Sequence, residues 1–211
     1  MNPPTSNRWN LDLSDAIPLL RGGPGHLLKK PAEDLLRLTA MNRFLRDLNP
    51  AVDPATVFQR AMDLLALRYR IDHGSVEAIP SSGPVIVVAN HPFGGGDALV
   101  LAHLLAARRK DMRMLANSLL VRMEAVEPWL IGVDSFGDGA TASRRNIGPM
   151  KQALAHLRKG GCLGVFPAGE VSAFSPQHGT IRDKPWSKHQ NSAFDLNHAK
   201  VASKLDSLKW L

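Results

Sequence analysis

The residues best suited to chemistry lie in one stretch, Asn90-His91-Pro92-Phe93-Gly94-Gly95-Gly96-Asp97-Ala98. A neutral imidazole can take the proton of an attacking hydroxyl or amine. A carboxylate beside it holds the ring in one tautomer and stabilises the imidazolium that forms. Gly94, Gly95 and Gly96 let the backbone fold tightly enough to bring His91 and Asp97 together and to approach a substrate closely. The loop holds no serine or cysteine, so direct attack by a bound acceptor fits better than an acyl-enzyme. The competing reading is a structural turn in which Asp97 caps the following helix.

Two further stretches could bind rather than react. Phe166-Pro167-Ala168-Gly169-Glu170-Val171-Ser172 offers Gly169, Glu170 and Ser172 to polar headgroup atoms, or is a plain strand exit. Ser143-Arg144-Arg145-Asn146 stands at the N-terminal side of an expected helix. Arg144 and Arg145 could clamp a phosphate there, helped by the free N–H groups of the helix start; solvated surface charge is the alternative.

These stretches must be held by a sheet. Pro84–Ala89 is a continuous β-branched run, the mark of a strand buried on both faces. The His91 loop leaves its end and enters a helix expected over Asp97–Arg109, where ligands of open α/β sheets gather. Strands are expected at Arg113–Ala116, Trp129–Val133 and Leu163–Phe166, with a helix over Asn146–Lys159 closed by Gly160-Gly161. The alternation means an α/β domain with a largely parallel central sheet flanked by helices.

Ahead of it, Ala32–Asp47 and Asp53–Tyr69 read as an amphipathic helical hairpin, the second arm capped by Asp53 with Pro54 at its first position. Prolines and glycines make residues 1–32 irregular. The chain thus divides into residues 1–75 (irregular segment and hairpin), 76–186 (core) and 187–211 (a tail of different composition, with a helix possible over Asn197–Leu211).

The 211 residues are 44% hydrophobic and 21% charged, enough for one sizeable domain and unlike a disordered chain. A single cysteine, Cys162, excludes an internal disulfide framework and a cysteine-built zinc site, and its apolar setting suits a small buried hydrophobe better than a nucleophile. His26, His73, His103, His156 and His178 show no ligand spacing, so neither metal nor cofactor is expected. No apolar run reaches the ~20 residues of a spanning helix. The net charge of +7 favours polyanions, either nucleic acid or anionic lipid. Aromatics at 6%, without a basic stripe interleaved with stacking residues, weigh against nucleic acid.

Together the three stretches, in this order, resemble the glycerolipid acyltransferase superfamily (glycerol-phosphate and lysophosphatidate acyltransferases), most nearly its hemolysin-type and ornithine-lipid branch. The likeness covers roughly Val76 to Trp186. In that family a His-x4-Asp block is catalytic; His91 and Asp97 match it with one extra spacer residue. The family's phosphate-binding arginine would map onto Arg144 or Arg145. Its Phe-Pro-Glu-Gly-Thr-Arg-Ser block would map onto Phe166–Ser172, keeping Phe166, Pro167, Gly169 and Ser172. Ala168 and Val171 replace a Glu and an Arg of that block, which favours a lyso-lipid or an amino-acid-derived lipid over glycerol-3-phosphate; Glu170 substitutes in part. The family continues into a further strand, and no β-branched run after Trp186 supplies one. An unpaired sheet edge beside the site is the expectation.

The resemblance implies an enzyme that moves a fatty acyl group from an acyl thioester (acyl-ACP or acyl-CoA) to a lyso-lipid hydroxyl. His91 would be general base, Asp97 its partner, and a backbone N–H of Gly94–Gly96 an oxyanion donor, with Asn90 and Phe93 beside the substrate. Arg108, Arg109, Lys110 and Arg113 would dock the domain on the inner, cytoplasmic face of an anionic membrane. The alternatives are an inactive lipid-binding remnant, a hydrolase using the same pair on water, and, on charge alone, a nucleic-acid module.

Overall fold

The computed structural model describes residues 30–31, 43–44, 47–48, 53–134, 139–176, 179–182, 200–202 and 208–210. Its elements run α1 (Pro54–Leu64), β1 (Tyr69–Ile71), β2 (Val85–Val88), α2 (Gly95–Arg108), β3 (Met112–Asn117), β4 (Leu130–Val133), α3 (Gly139–Arg158), β5 (Cys162–Val165), β6 (Ala173–Ser175), β7 (Thr180–Arg182), β8 (Lys200–Ala202) and β9 (Leu208–Trp210). Five strands form a parallel sheet in the order β4-β3-β5-β2-β8. The expected α/β architecture is therefore observed.

The run after Pro84 makes β2 because both faces of the sheet are covered. Val85 and Val87 face α2, packing with Leu101, Leu105 and Cys162, while Ile86 faces α3 with Leu163, Ala153 and Leu157. Gly164 of β5 sits where an added Cβ would come within 2.8 Å of Leu105, so its lack of a side chain lets α2 lie close on the sheet. Cys162 is fully buried, and burial pushes its thiol up to about 12, which suits a packing residue and not a nucleophile.

Several boundaries differ from the sequence expectation, each for a physical reason. Asp53 caps α1 as expected, accepting from the Ala55 and Thr56 N–H groups, but the helix stops at Leu64 and not at Tyr69. Ala66 takes a left-handed φ of 51°, and the Leu67 and Ala66 N–H groups donate to the Met62 and Asp63 carbonyls. This is a helix-ending motif usually marked by glycine; with alanine in that place the sequence carries no stop signal. Helix α3 begins at Gly139, seven residues before the expected Asn146. Most of the expected helix Ala32–Asp47 lies outside the described residues, although Leu48 is buried against Ala61 and Ala125.

The tail departs most. In place of a helix over Asn197–Leu211, β8 pairs in parallel with β2 (Val85 opposite Lys200, Val87 opposite Ala202), and β9 pairs antiparallel with β1. The edge of β2 expected to be open is therefore paired.

Arg109 is a second correction. Expected on a basic docking surface, it is 4% exposed. Its guanidinium donates to the carbonyls of Pro80, Gly83 and Gly160 and forks onto Asp111. It ties together the segments entering β2, β3 and β5, at the end of the sheet opposite the His91 loop.

Candidate active site

The site is built where β2 ends. Ala89 still donates to Val165 of β5, after which the chain leaves the sheet through Asn90 and His91. Helix α2 starts at Gly95, two residues before the expected Asp97. Its N-cap, Gly94, adopts φ 66° and ψ −122°, a conformation closed to L side chains at ordinary cost. That turn puts Asp97 in the third helical position and not at the cap. Its side chain points back into the loop, where Oδ2 accepts the Phe93 N–H at 2.6 Å and lies 3.4 Å from His91 Nδ1.

Asp97 is buried and the His91 side chain is 16% exposed. The separation is long for a hydrogen bond but short enough for the carboxylate to act electrostatically on the ring. With Nδ1 turned to the carboxylate, a proton-accepting role would fall to Nε2.

The second stretch closes on this loop. The Phe166 ring stacks on His91 with centroids 4.0 Å apart and planes at 21°. Phe166 accepts from the Gly169 N–H across a turn with Pro167 in its second position, and Gly169 has φ 72°. The chain then returns, and Ser172 donates its backbone N–H to the His91 carbonyl at 2.9 Å. His91 is thus held from one side by Asp97 and from another by Phe166. Val171, not among the expected site residues, stands where a Cβ added to Gly94 would meet its Cγ2 at 3.4 Å. Nothing in the local sequence marks that approach; it follows from how the two loops cross.

Asn90, Phe93, Gly95 and Glu170 are exposed at this mouth, Gly96 is half-buried and Pro167 is buried. Gly95 and Gly96 are the first two residues of α2, which has no capping side chain, so their N–H groups point out of the helix start without intrahelical acceptors.

Arg144 and Arg145 are placed differently from expectation. Because α3 begins at Gly139, both lie in its second turn, away from the free N–H groups of its start. Arg145 donates to Asp134 at 3.0 Å, and Arg144 is exposed. Asn146 grips the backbone of Asp134 twice, accepting its N–H and donating to its carbonyl. Asp134, Arg145 and Asn146, with Asn117 and Leu119, line a cavity of about 420 Å³ at the ends of β3 and β4; Arg144 is not among its lining residues. Among the described residues no cluster of three His, Cys, Asp or Glu side chains comes within metal-binding range.

A left-handed Gly94 makes one expectation here. Gly94→Ala should cost about 1–3 kcal/mol of stability from backbone strain. It should also loosen the loop, lowering turnover more than the melting temperature would suggest. Unchanged turnover with unchanged melting would show that the cap conformation is dispensable.

Comparison with known proteins gives this arrangement a context. A family model described as Acyltransferase matches residues 34–200. The chain is 28% identical over 149 residues to a lyso-glycine lipid O-acyltransferase of Phocaeicola vulgatus, covering 70% of this chain and 50% of that protein. It is 29% identical over 121 residues to the lyso-glycine lipid O-acyltransferase of Bacteroides thetaiotaomicron, covering 56% of this chain and 41% of that protein. The chain thus spans about half the length, or less, of the curated relatives it matches.

Proposed function

From a chain that belongs to the acyltransferase family, we propose an enzyme that transfers a fatty acyl group from an acyl thioester, acyl-ACP or acyl-CoA, to the hydroxyl of a lyso-lipid. The observation that carries this reading is the buried Asp97 carboxylate beside His91 Nδ1, with Phe166 stacked on the ring. His91 Nε2 takes the acceptor's proton as its oxygen attacks the thioester carbonyl. The Gly95 and Gly96 N–H groups are donors for the oxyanion. Collapse of the tetrahedral intermediate breaks the C–S bond, and the imidazolium returns its proton to the leaving thiolate. Asp97 holds the tautomer and balances the charge throughout.

The names of the relatives favour an amino-acid-derived lyso-lipid as acceptor. Val171 and Ala168, where the resembling family has Arg and Glu, support the same choice over glycerol-3-phosphate. Arg145, whose fork keeps further donors beyond the one on Asp134, remains the candidate for an anionic headgroup atom. We place the reaction at the cytoplasmic face of an anionic membrane. The pairing of β8 with β2 fills the sheet edge beside the site and supports an active enzyme over an inactive lipid-binding remnant.

The test is product analysis by mass spectrometry after incubating the full chain with a long-chain acyl thioester and a panel of acceptors. The panel holds N-acylated glycine lyso-lipids, lysophosphatidate and glycerol-3-phosphate. Acylated glycine lyso-lipid as the main product is expected. Free fatty acid alone, with no acylated acceptor, would make the protein a hydrolase.

A further inference from the structure

We propose that the protein docks on a lipid leaflet through the C-terminal edge of its parallel sheet, inserting the apolar side chains that ring the His91 mouth. The inference rests on the lipid-acceptor reading and names the surface that reading needs.

Its basis is where the exposed apolar residues fall. Among the described residues seven large hydrophobic side chains are exposed: Leu64, Leu65, Phe93, Leu119, Leu120, Ile147 and Val171. Five of the seven stand on this one edge. Phe93, 58% exposed, follows β2, and Val171, 47% exposed, follows β5 and stands beside the Gly94 turn. Leu119 and Leu120, 52% and 41% exposed, follow β3, and Ile147, 52% exposed, lies on α3 directly after the Asn146 that grips the end of β4.

The strand register sets these loops at one level, since Met114 lies opposite Gly164 and Gly164 opposite Val87. The loops after β3 and β2 are therefore two strand spacings apart, about 10 Å. Apolar side chains spread over such a width around a polar cleft are costly in water and are stabilised by the acyl boundary of a bilayer.

Charge agrees with insertion more than with simple attraction. Arg122, Arg144 and Arg145 are exposed on this edge, within reach of lipid phosphates, but Asp134 pairs with Arg145 and Glu170 sits beside Val171. The balance is near neutral, so apolar burial would carry the binding and salt would weaken it little. The basic run around Lys110 lies at the opposite edge. Helix α2 begins at the His91 loop and ends there, and its 14 residues span about 20 Å. A leaflet held at that end would leave the His91 mouth facing away from the lipid.

The experiment is co-sedimentation of the full chain with phosphatidylcholine vesicles doped with phosphatidylglycerol, at low and high salt. Leu120→Ser combined with Ile147→Ser should lower vesicle partitioning about tenfold or more. The same variant should keep its turnover on a short-chain thioester and acceptor that dissolve as monomers, which separates loss of docking from loss of chemistry. Lys110→Gln with Arg113→Gln should leave partitioning unchanged within about twofold. The proposal is overturned if the Leu120/Ile147 variant sediments with vesicles as the wild type does, or if the Lys110/Arg113 variant is the one that lets go. It is equally overturned if the wild-type chain ignores vesicles, including by burying this face in a dimer. Vesicle binding without turnover in the wild type would instead contradict the proposed reaction and leave the surface standing.

Discussion

Asp97→Asn is expected to lower the turnover number for acyl transfer about 10³–10⁴-fold while leaving the fold in place. The reason lies in two contacts of one oxygen. Oδ2 accepts the Phe93 N–H at 2.6 Å and faces His91 Nδ1 at 3.4 Å. An asparagine oxygen can still accept from Phe93, so the loop keeps its shape. Its neutral amide cannot balance an imidazolium, and in the flipped orientation, which gives up the Phe93 bond, the NH2 facing Nδ1 would favour the tautomer whose proton sits on Nε2, blocking the base. The loss should fall on turnover with little change in KM, since the carboxylate is buried away from the substrate. Circular dichroism and melting of the variant check that the chain is folded. A loss of less than about tenfold in a folded variant would remove Asp97 from the proposed mechanism.

The largest stability effect is expected at the other end of the sheet. Arg109→Leu should destabilise the chain by about 2–4 kcal/mol, because several hydrogen bonds from a buried charged guanidinium are lost at once. It strips donors from the carbonyls of Pro80, Gly83 and Gly160 and leaves Asp111 without its fork. Hydrogen bonding from Arg109 holds the Asp111 carboxyl below its usual range. A group depressed in the folded state contributes stability above its unfolded pKa and loses it as pH falls through the folded value. The wild type should therefore weaken on acidification below the ordinary carboxylate range, and Arg109→Leu should show less of that dependence. Urea unfolding at neutral and acid pH reads both effects. A shift of under about 1 kcal/mol at neutral pH would mean that water replaces the lost donors.

How much of this was legible in the sequence depended on how local the cause was. The β-branched run Val85–Val88 announces its strand because burial on both faces demands such side chains. The glycine loop announces its turn, and His91 and Asp97 announce their chemistry. The end of α1 was hidden because alanine occupies the left-handed position at residue 66. The early start of α3 was hidden because Gly139 and the small residues after it resemble a loop. Strand β8 is three residues, Lys200–Ala202, with no alternation to mark it; it is a strand because β2 offers a parallel edge far away in sequence. Arg109 belongs to a basic run that reads as surface, and it is buried because three carbonyls from residues distant in sequence converge on it. The stack of Phe166 on His91 joins two motifs that were each visible, but their contact exists only once β2 and β5 are neighbours.

The central claim is that His91 is the base of an acyl transfer, and acceptor-dependent thiol release from a long-chain acyl thioester tests it most directly. Wild-type chain and a folded His91→Ala variant would be measured side by side with a glycine-type lyso-lipid. The expected result is thiol release that requires the acceptor in the wild type and falls at least about 10³-fold in the variant. Release that persists in His91→Ala at a rate near wild type would contradict the mechanism.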